Sequence, residues 1–264
     1  QNYQLGVRSG IGCVEDSDSS VINSLLDRAN MAVKTVKGKG AAQWKFYDHT
    51  MRDKLLREKD LEIRMEKALA DGEFLVYIQP KYWVGTRALA GGEALVRWKS
   101  PDQGFLSPGE FIPPFEKNRF IVKLDQFMFT SVCGLLRQWL DAGIEPRPLS
   151  VNVSRMQFHT PDFVERYIRI KSQYAIPDGL LELEFTESIF FDNVALLSSA
   201  VHELRRAGIK CSIDDFGAGY SSPNVNKALP VRVLHVHRPL FRQATTAEEA
   251  PSTRTHTLRM ARAL

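Results

Sequence analysis

Four apolar runs in this sequence end in oxygen-bearing side chains, and stretches with helical periodicity separate each from the next. The runs are Gly91-Gly92-Glu93-Ala94-Leu95-Val96-Arg97-Trp98, then Leu149-Ser150-Val151-Asn152-Val153-Ser154, then Leu181-Glu182-Leu183-Glu184-Phe185-Thr186-Glu187-Ser188, and finally Ile209 to Ile213, closed by Asp214-Asp215. The last is followed at once by the glycine-hinged loop Phe216-Gly217-Ala218-Gly219-Tyr220-Ser221-Ser222. Strands alternating with helices specify a parallel sheet with helices packed outside it. Oxygen ligands at successive strand C-terminal ends then meet at the mouth of a barrel, where they suit a hard divalent cation. By itself an Asp-Asp-x-Gly stretch also suits a turn that caps a helix. The three other runs favour the metal site.

The same alternation runs from Phe74 to the end of the chain. Phe74 to Ile78 reads as a first strand ending at Gln79-Pro80, and the second falls within Ala88 to Trp98. Pro108-Gly109-Glu110-Phe111-Ile112-Pro113 is a capped helix entry. Further helices are expected over Ile121 to Ala142, Pro161 to Tyr174 and Val194 to Ala207, and a last strand over Val231 to Val236. Residues 49–70 are highly charged, with Met51, Leu55, Leu61, Met65 and Leu69 at loosely helical spacing, which predicts a connecting helix. Upstream, Leu5 to Gly12 and Trp44 to Tyr47 read as short strands. They flank a helix that Ser19-Ser20 would cap and that carries Val21, Ile22, Leu25, Leu26, Ala29, Ala32 and Val33 on its apolar face.

The four motifs, in this order, resemble the EAL domain of bacterial cyclic di-GMP signalling, named for the triplet that stands here as Glu93-Ala94-Leu95. The resemblance implies an α/β fold, an EAL-type (β/α) TIM-like barrel over residues 71–264. Six of the usual eight strands can be counted before Leu264, so the barrel is expected to be incomplete at its C-terminus. An open barrel has exposed strand edges, which invite pairing with a second copy as a homodimer. Residues 1–48 resemble the last part of a GGDEF domain, with Ala29-Asn30-Met31-Ala32 and Lys37 matching its final helix and Asn30 where Asp is usual. The nucleotide-binding part is not in this fragment, so it is expected to make no cyclic di-GMP. Residues 49–70 would then join it to the EAL domain, and an upstream sensor or GGDEF domain is an implied partner.

In the resembled family two Mg²⁺ or Mn²⁺ ions serve hydrolysis of one phosphodiester bond of cyclic di-GMP. Carried over by position, Glu93, Asn152, Glu184 and Asp214 would hold metal, with Asp214 bridging to a second ion beside Asp215. Glu184 is preferred to Glu182 because it stands nearer the strand end, and only one of that pair is expected to point at the site. Gln79, Leu95 and Arg97 would contact the substrate, Arg97 pairing with a phosphate through its guanidinium fork. Glu187 would anchor the loop from Asp215 to Ser222. Plainer readings stand beside these: a surface ion pair for Arg97, a turn former for Asn152, and a helix N-terminal carboxylate for Glu187.

The chain departs from the family after the loop. Leu234-His235-Val236-His237 stands where the family has a Lys, Ile, Asp triplet, which puts His235 at the catalytic lysine position. Pro223, Asn226 and Arg232 also replace residues of other character. Lysine is a permanent cation at neutral pH and histidine is mostly neutral there. Loss of such a charge typically lowers a rate by about 10²–10³. His235 and His237 could instead be imidazole ligands for another metal, or a solvent-facing pair. Two functions therefore follow from the resemblance: a cyclic di-GMP phosphodiesterase with impaired turnover, or a degenerate EAL module that acts as a cyclic di-GMP receptor or relays a signal to a protein partner.

Composition is compatible with both. A net charge of +4 is too small to argue for a nucleic-acid polymer, and a modest basic excess suits an anionic dinucleotide. Cys13, Cys133 and Cys211 lack metal-ligand spacing, and Cys133 and Cys211 fall in apolar periodic runs as expected of buried free thiols. No apolar run approaches the roughly 20 residues of a membrane span, and no signal peptide is recognisable. The expected location is the cytoplasm.

Overall fold

The computed structural model describes residues 7–14, 22–36, 44–186, 194–216 and 233–236. The chain divides into two compact units, Gln1–Glu66 and Lys67–Leu264.

In the first unit, β1 (Ser9–Ile11) and β2 (Trp44–Phe46) pair in parallel, and α1 (Ile22–Thr35) lies between them in sequence. Gly10 allows the close approach of strand to helix. A Cβ there would stand 1.9 Å from the Ala29 carbonyl oxygen, so any other residue would force the two apart. The charged stretch is helical as expected: α2 runs from His49 to Ala70 and spans the division between units. It carries the ion pairs Lys59–Glu62 at 2.6 Å and Arg64–Asp60 at 3.5 Å, which at such exposed positions contribute little to stability.

The second unit begins with β3 (Phe74–Tyr82), β4 (Leu89–Ser100) and the short β5 (Gly104–Leu106). Helices α3 (Pro108–Lys117) and α4 (Ile121–Asp141) follow, then β6 (Leu149–Val153), a 3₁₀ turn at Arg155–His159 and α5 (Phe163–Gln173). β7 (Leu181–Thr186), α6 (Val194–Arg206), β8 (Lys210–Phe216) and β9 (Val233–Val236) complete the described elements. The sheet order is β3-β4-β6-β7-β8-β9, with β5 paired to β4.

Two expectations require correction. The first strand is not parallel to the rest: β3 pairs with β4 antiparallel, as does the short β5, and the parallel part of the sheet is β4, β6, β7, β8 and β9. A short connection, Trp83 to Ala88, joins β3 to β4, and only an antiparallel pair can be joined so tightly. β3 also continues past Pro80 to Tyr82, so Gln79 lies within the strand and not at its end. Proline is tolerated there because β3 pairs on one side only among the described residues.

The core lies between the sheet and its helices. Leu149, Val151, Val153, Leu181, Leu183, Phe185, Cys211 and Ile213 face Phe129, Val132 and Leu136 of α4, Tyr167 of α5, and Val201 and Leu204 of α6. Cys133 and Cys211 are buried there as free thiols, and burial pushes both thiols up to about 12, so they stay protonated and inert. Cys13 is exposed. A second apolar group joins Phe74 and Trp98 to Phe111, Phe115 and Phe120 with ring centroids 4.9–6.2 Å apart, and the Trp98 indole N–H donates to Glu73 at 2.7 Å.

Candidate functional site

Side chains alternate across a strand, so the residues between the core positions must take the opposite face. On β6 these are Ser150 and Asn152, on β7 Glu182, Glu184 and Thr186, and on β8 Ser212 and Asp214. The inner face of the sheet is thus polar on three consecutive parallel strands. Register sets their heights. Glu93 is level with Ser150, Asn152 with Glu184, Glu184 with Ser212, and Asp214 with Thr186 one inward step further on. The Asn152 amide donates to Glu93 Oε1 at 2.9 Å across the diagonal. Glu182 and Glu184 share a face, contrary to the expectation that only one can point inward. Depth separates them: Glu184 is 1% exposed, whereas Glu182 lies at the strand N-terminal end beside Lys210 and lines a cavity there of ≈ 560 Å³.

A lysine that sequence reasoning missed completes this group. Gln79 of β3 is the register partner of Glu93, and Lys81, two residues on, takes the same face. Its ammonium donates to Ser150 Oγ at 2.9 Å and forms an ion pair with Glu184 Oε1. The Ser150 hydroxyl is shared with the Gly92 carbonyl at 3.4 Å. The approach of β4 to the segment before β6 depends on Gly91, where a Cβ would stand 2.5 Å from the Pro148 carbonyl oxygen. Glu93 titrates above the usual carboxylate range. Burial is the main cause and the charges of Glu184 and Asp214 add to it, while the Asn152 hydrogen bond and Lys81 oppose the shift. Glu93, Glu184 and Asp214 are therefore electrostatically one group.

The remaining candidates are placed as follows. Gln79 is exposed on β3. Leu95 and Arg97 are half-buried and line a cavity of ≈ 260 Å³ with Asn152, Ser154 and Thr186. The Arg97 guanidinium donates to the Val96 carbonyl at 2.8 Å and lies 5.8 Å from the centre of the Tyr77 ring. For Asp215 and His235 only the backbone is described. Val233 is the register partner of Ser212, so position 235 falls on the same sheet face as Ser212 and Asp214. The register between β8 and β9 shifts between Ile213 and Phe216, next to Asp215. Glu187, Pro223, Asn226, Arg232 and His237 lie outside the described residues.

Comparison with known proteins decides the family, because the EAL domain profile matches residues 63–264. The chain belongs to the EAL domain family. A Synechocystis relative, the uncharacterized protein sll1895, is 34% identical over 87% of this chain and 33% of its own length. The cyclic di-GMP phosphodiesterase PA2567 of Pseudomonas aeruginosa is 31% identical over 95% of this chain and 42% of its own length. This chain thus spans about a third to two fifths of those relatives. The solved structure of the PaMucR phosphodiesterase in complex with c-di-GMP is 28% identical, with TM-score 0.71 over 77% of this chain and 83% of that one.

The EAL side chains present here suit a hard cation by their donor chemistry: carboxylate and amide oxygens, which repel one another until a cation neutralises them. Among the described residues, no three His, Cys, Asp or Glu side chains already stand in a metal-ligand arrangement. Lys81 holds Glu184 and Asn152 holds Glu93 instead.

A buried network supports the Asn152 strand from behind. The Asp125 carboxylate of α4 accepts the Ser154 backbone N–H at 2.9 Å and the Gln157 amide at 3.2 Å, both on Oδ2. Ser154 Oγ donates to Glu116 at 3.2 Å. Burial raises the Asp125 pKa from 3.8 to about 7. The unfolded chain therefore releases this proton first, and the fold loses stability as pH rises from about 4 to 7, by about 4 kcal/mol from this group. Asp125→Asn keeps one carbonyl oxygen for both donors and removes the charge. Urea unfolding should show the variant equal to wild type near pH 4 and about 2–4 kcal/mol more stable at pH 8. A pH-independent difference would refute the role of burial.

Proposed function

We propose that this chain binds cyclic di-GMP at the C-terminal ends of its parallel strands and, with divalent metal, hydrolyses one phosphodiester bond slowly. The observation that carries the reading is the grouping of Glu93, Asn152, Glu184 and Asp214 on one sheet face at successive register steps. Membership of a family that includes a named cyclic di-GMP phosphodiesterase supports it. On this reading Glu93, Asn152, Glu184 and Asp214 hold Mg²⁺ or Mn²⁺, with Asp215 at the second ion. When bound, the ions polarise a phosphoryl oxygen and acidify a water. Arg97 reaches a phosphate by leaving the Val96 carbonyl, Gln79 and Leu95 border the nucleotide, and Glu187 anchors the loop that follows β8.

His235 at the lysine position favours a second reading, in which the chain is a receptor that retains the ligand without turnover. The same proposal assigns residues 1–48 to a GGDEF remnant and 49–70 to a connecting helix. It places the EAL domain over 71–264, with an upstream sensor or GGDEF domain and a second copy as partners in the cytoplasm. Equilibrium dialysis with cyclic di-GMP, followed by chromatography after incubation with Mn²⁺, tests the function. Binding with slow appearance of the linear dinucleotide is expected. Binding without product favours the receptor, and absence of binding overturns both readings.

A further inference from the structure

Lys81 has no part in the roles proposed above, yet among the described residues its ammonium pairs with Glu184, the buried carboxylate of the group. The Glu184 side chain is fully enclosed, and an ionised carboxylate removed from water needs a counter-charge close by. Lys81 supplies one. Its position is built from three directions: β3 runs antiparallel and extends to Tyr82, which carries residue 81 below Gln79. Ser150 on β6 fixes the ammonium at 2.9 Å, and Glu184 on β7 closes the pair. Two-thirds of the Lys81 side chain is shielded, its exposure being 33%. The same charge acts on Glu93, one register step away.

We propose that Lys81 is a resident surrogate cation, neutralising Glu184 while the site holds no metal and yielding it when divalent metal binds. This rests on Glu184 being a metal ligand. Lys81 is then a positioning residue with two opposed effects. It holds the metal-free sheet together, and it weakens metal affinity, because a like charge stays within a few ångströms of the incoming ion. At that distance, in the interior of a protein, one unit of charge changes an affinity by about tenfold or more.

The test is calorimetric titration of Mn²⁺ into the full chain, with thermal unfolding at zero and saturating Mn²⁺, for wild type, Lys81→Met and Lys81→Gln. Removal of the charge should tighten Mn²⁺ binding about tenfold in both variants. The metal-free melting temperature should fall, and Mn²⁺ should raise it further in the variants than in wild type. Gln retains amide donors for Ser150 and Glu184, so it separates charge from placement: a tightening in Met and Gln alike supports competition. Unchanged or weaker Mn²⁺ binding in Lys81→Gln overturns the proposal, even if Lys81→Met fails to fold. If wild type binds no Mn²⁺, or if Glu184→Gln leaves binding unaltered, the metal assignment of Glu184 falls and this proposal falls with it. If wild type binds through Glu184 and Lys81→Gln matches it, this proposal alone is lost.

Discussion

Asp214→Ala is expected to lower Mn²⁺ affinity by about 100-fold or more, since even outer-shell partners of a metal site are worth 10–100-fold. Asp214 stands at the C-terminal end of β8, level with Thr186 and one inward step beyond Glu184 and Ser212. Its charge is already felt by Glu93. On the proposed reading the substitution removes a ligand and also part of the repulsion that makes the cluster receptive to a cation, so both effects weaken binding. Little fold stability should be lost, because Asp214 is half-buried and its neighbours Cys211 and Ile213 hold β8 in the core. Calorimetry on wild type, Asp214→Ala and the exposed control Glu165→Ala gives the answer. Equal isotherms for wild type and Asp214→Ala would remove Asp214 from the site.

His235→Lys should raise the turnover of cyclic di-GMP by about 10- to 100-fold, a partial recovery of the 10²–10³ usually attached to one charge aimed at a transition state. Position 235 stands two residues on from Val233, the register partner of Ser212, which puts it on the face of Ser212. On the proposed reading a lysine there would be a permanent cation beside the scissile phosphate. An interaction made only in the transition state appears in kcat, and one made equally with bound substrate appears in KM. The expected signature is thus a rise in kcat with KM changed much less. A gain confined to KM would mean that residue 235 contacts the ligand without serving the chemistry. No change in either would place the defect elsewhere.

The sites of these two substitutions differ in how they could be known. Asp214 was legible because it closes an apolar run and precedes a glycine-hinged loop, and both are local features. The strands and helices from Phe74 onward were legible for the same reason: Leu149-Ser150-Val151-Asn152-Val153 alternates with period 2, and Phe129, Val132, Cys133 and Leu136 recur at helical spacing. The short β5 escaped notice because three residues carry no periodicity, and its existence depends on pairing with β4. Asp125 was also missed, since nothing in Lys123-Leu124-Asp125-Gln126 says that the carboxylate will be buried and bonded to a strand end 29 positions away.

The amino-acid order alone determined which residues share a face, because alternation and helical period follow from backbone geometry within a few residues. It thereby set a polar inner face of Ser150, Asn152, Glu182, Glu184, Ser212 and Asp214 against an apolar outer one. It did not determine the partners of charges. The depth of Lys81 follows from the long antiparallel pairing of β3 with β4, which carries Lys81 past Gln79 to a place opposite Gly91. The Lys81–Glu184 ion pair joins positions 103 residues apart, and the Asn152–Glu93 hydrogen bond joins positions 59 apart. Such contacts have no local signature. They are chosen when the strands pair and each buried charge must find a partner at the height that the register assigns to it.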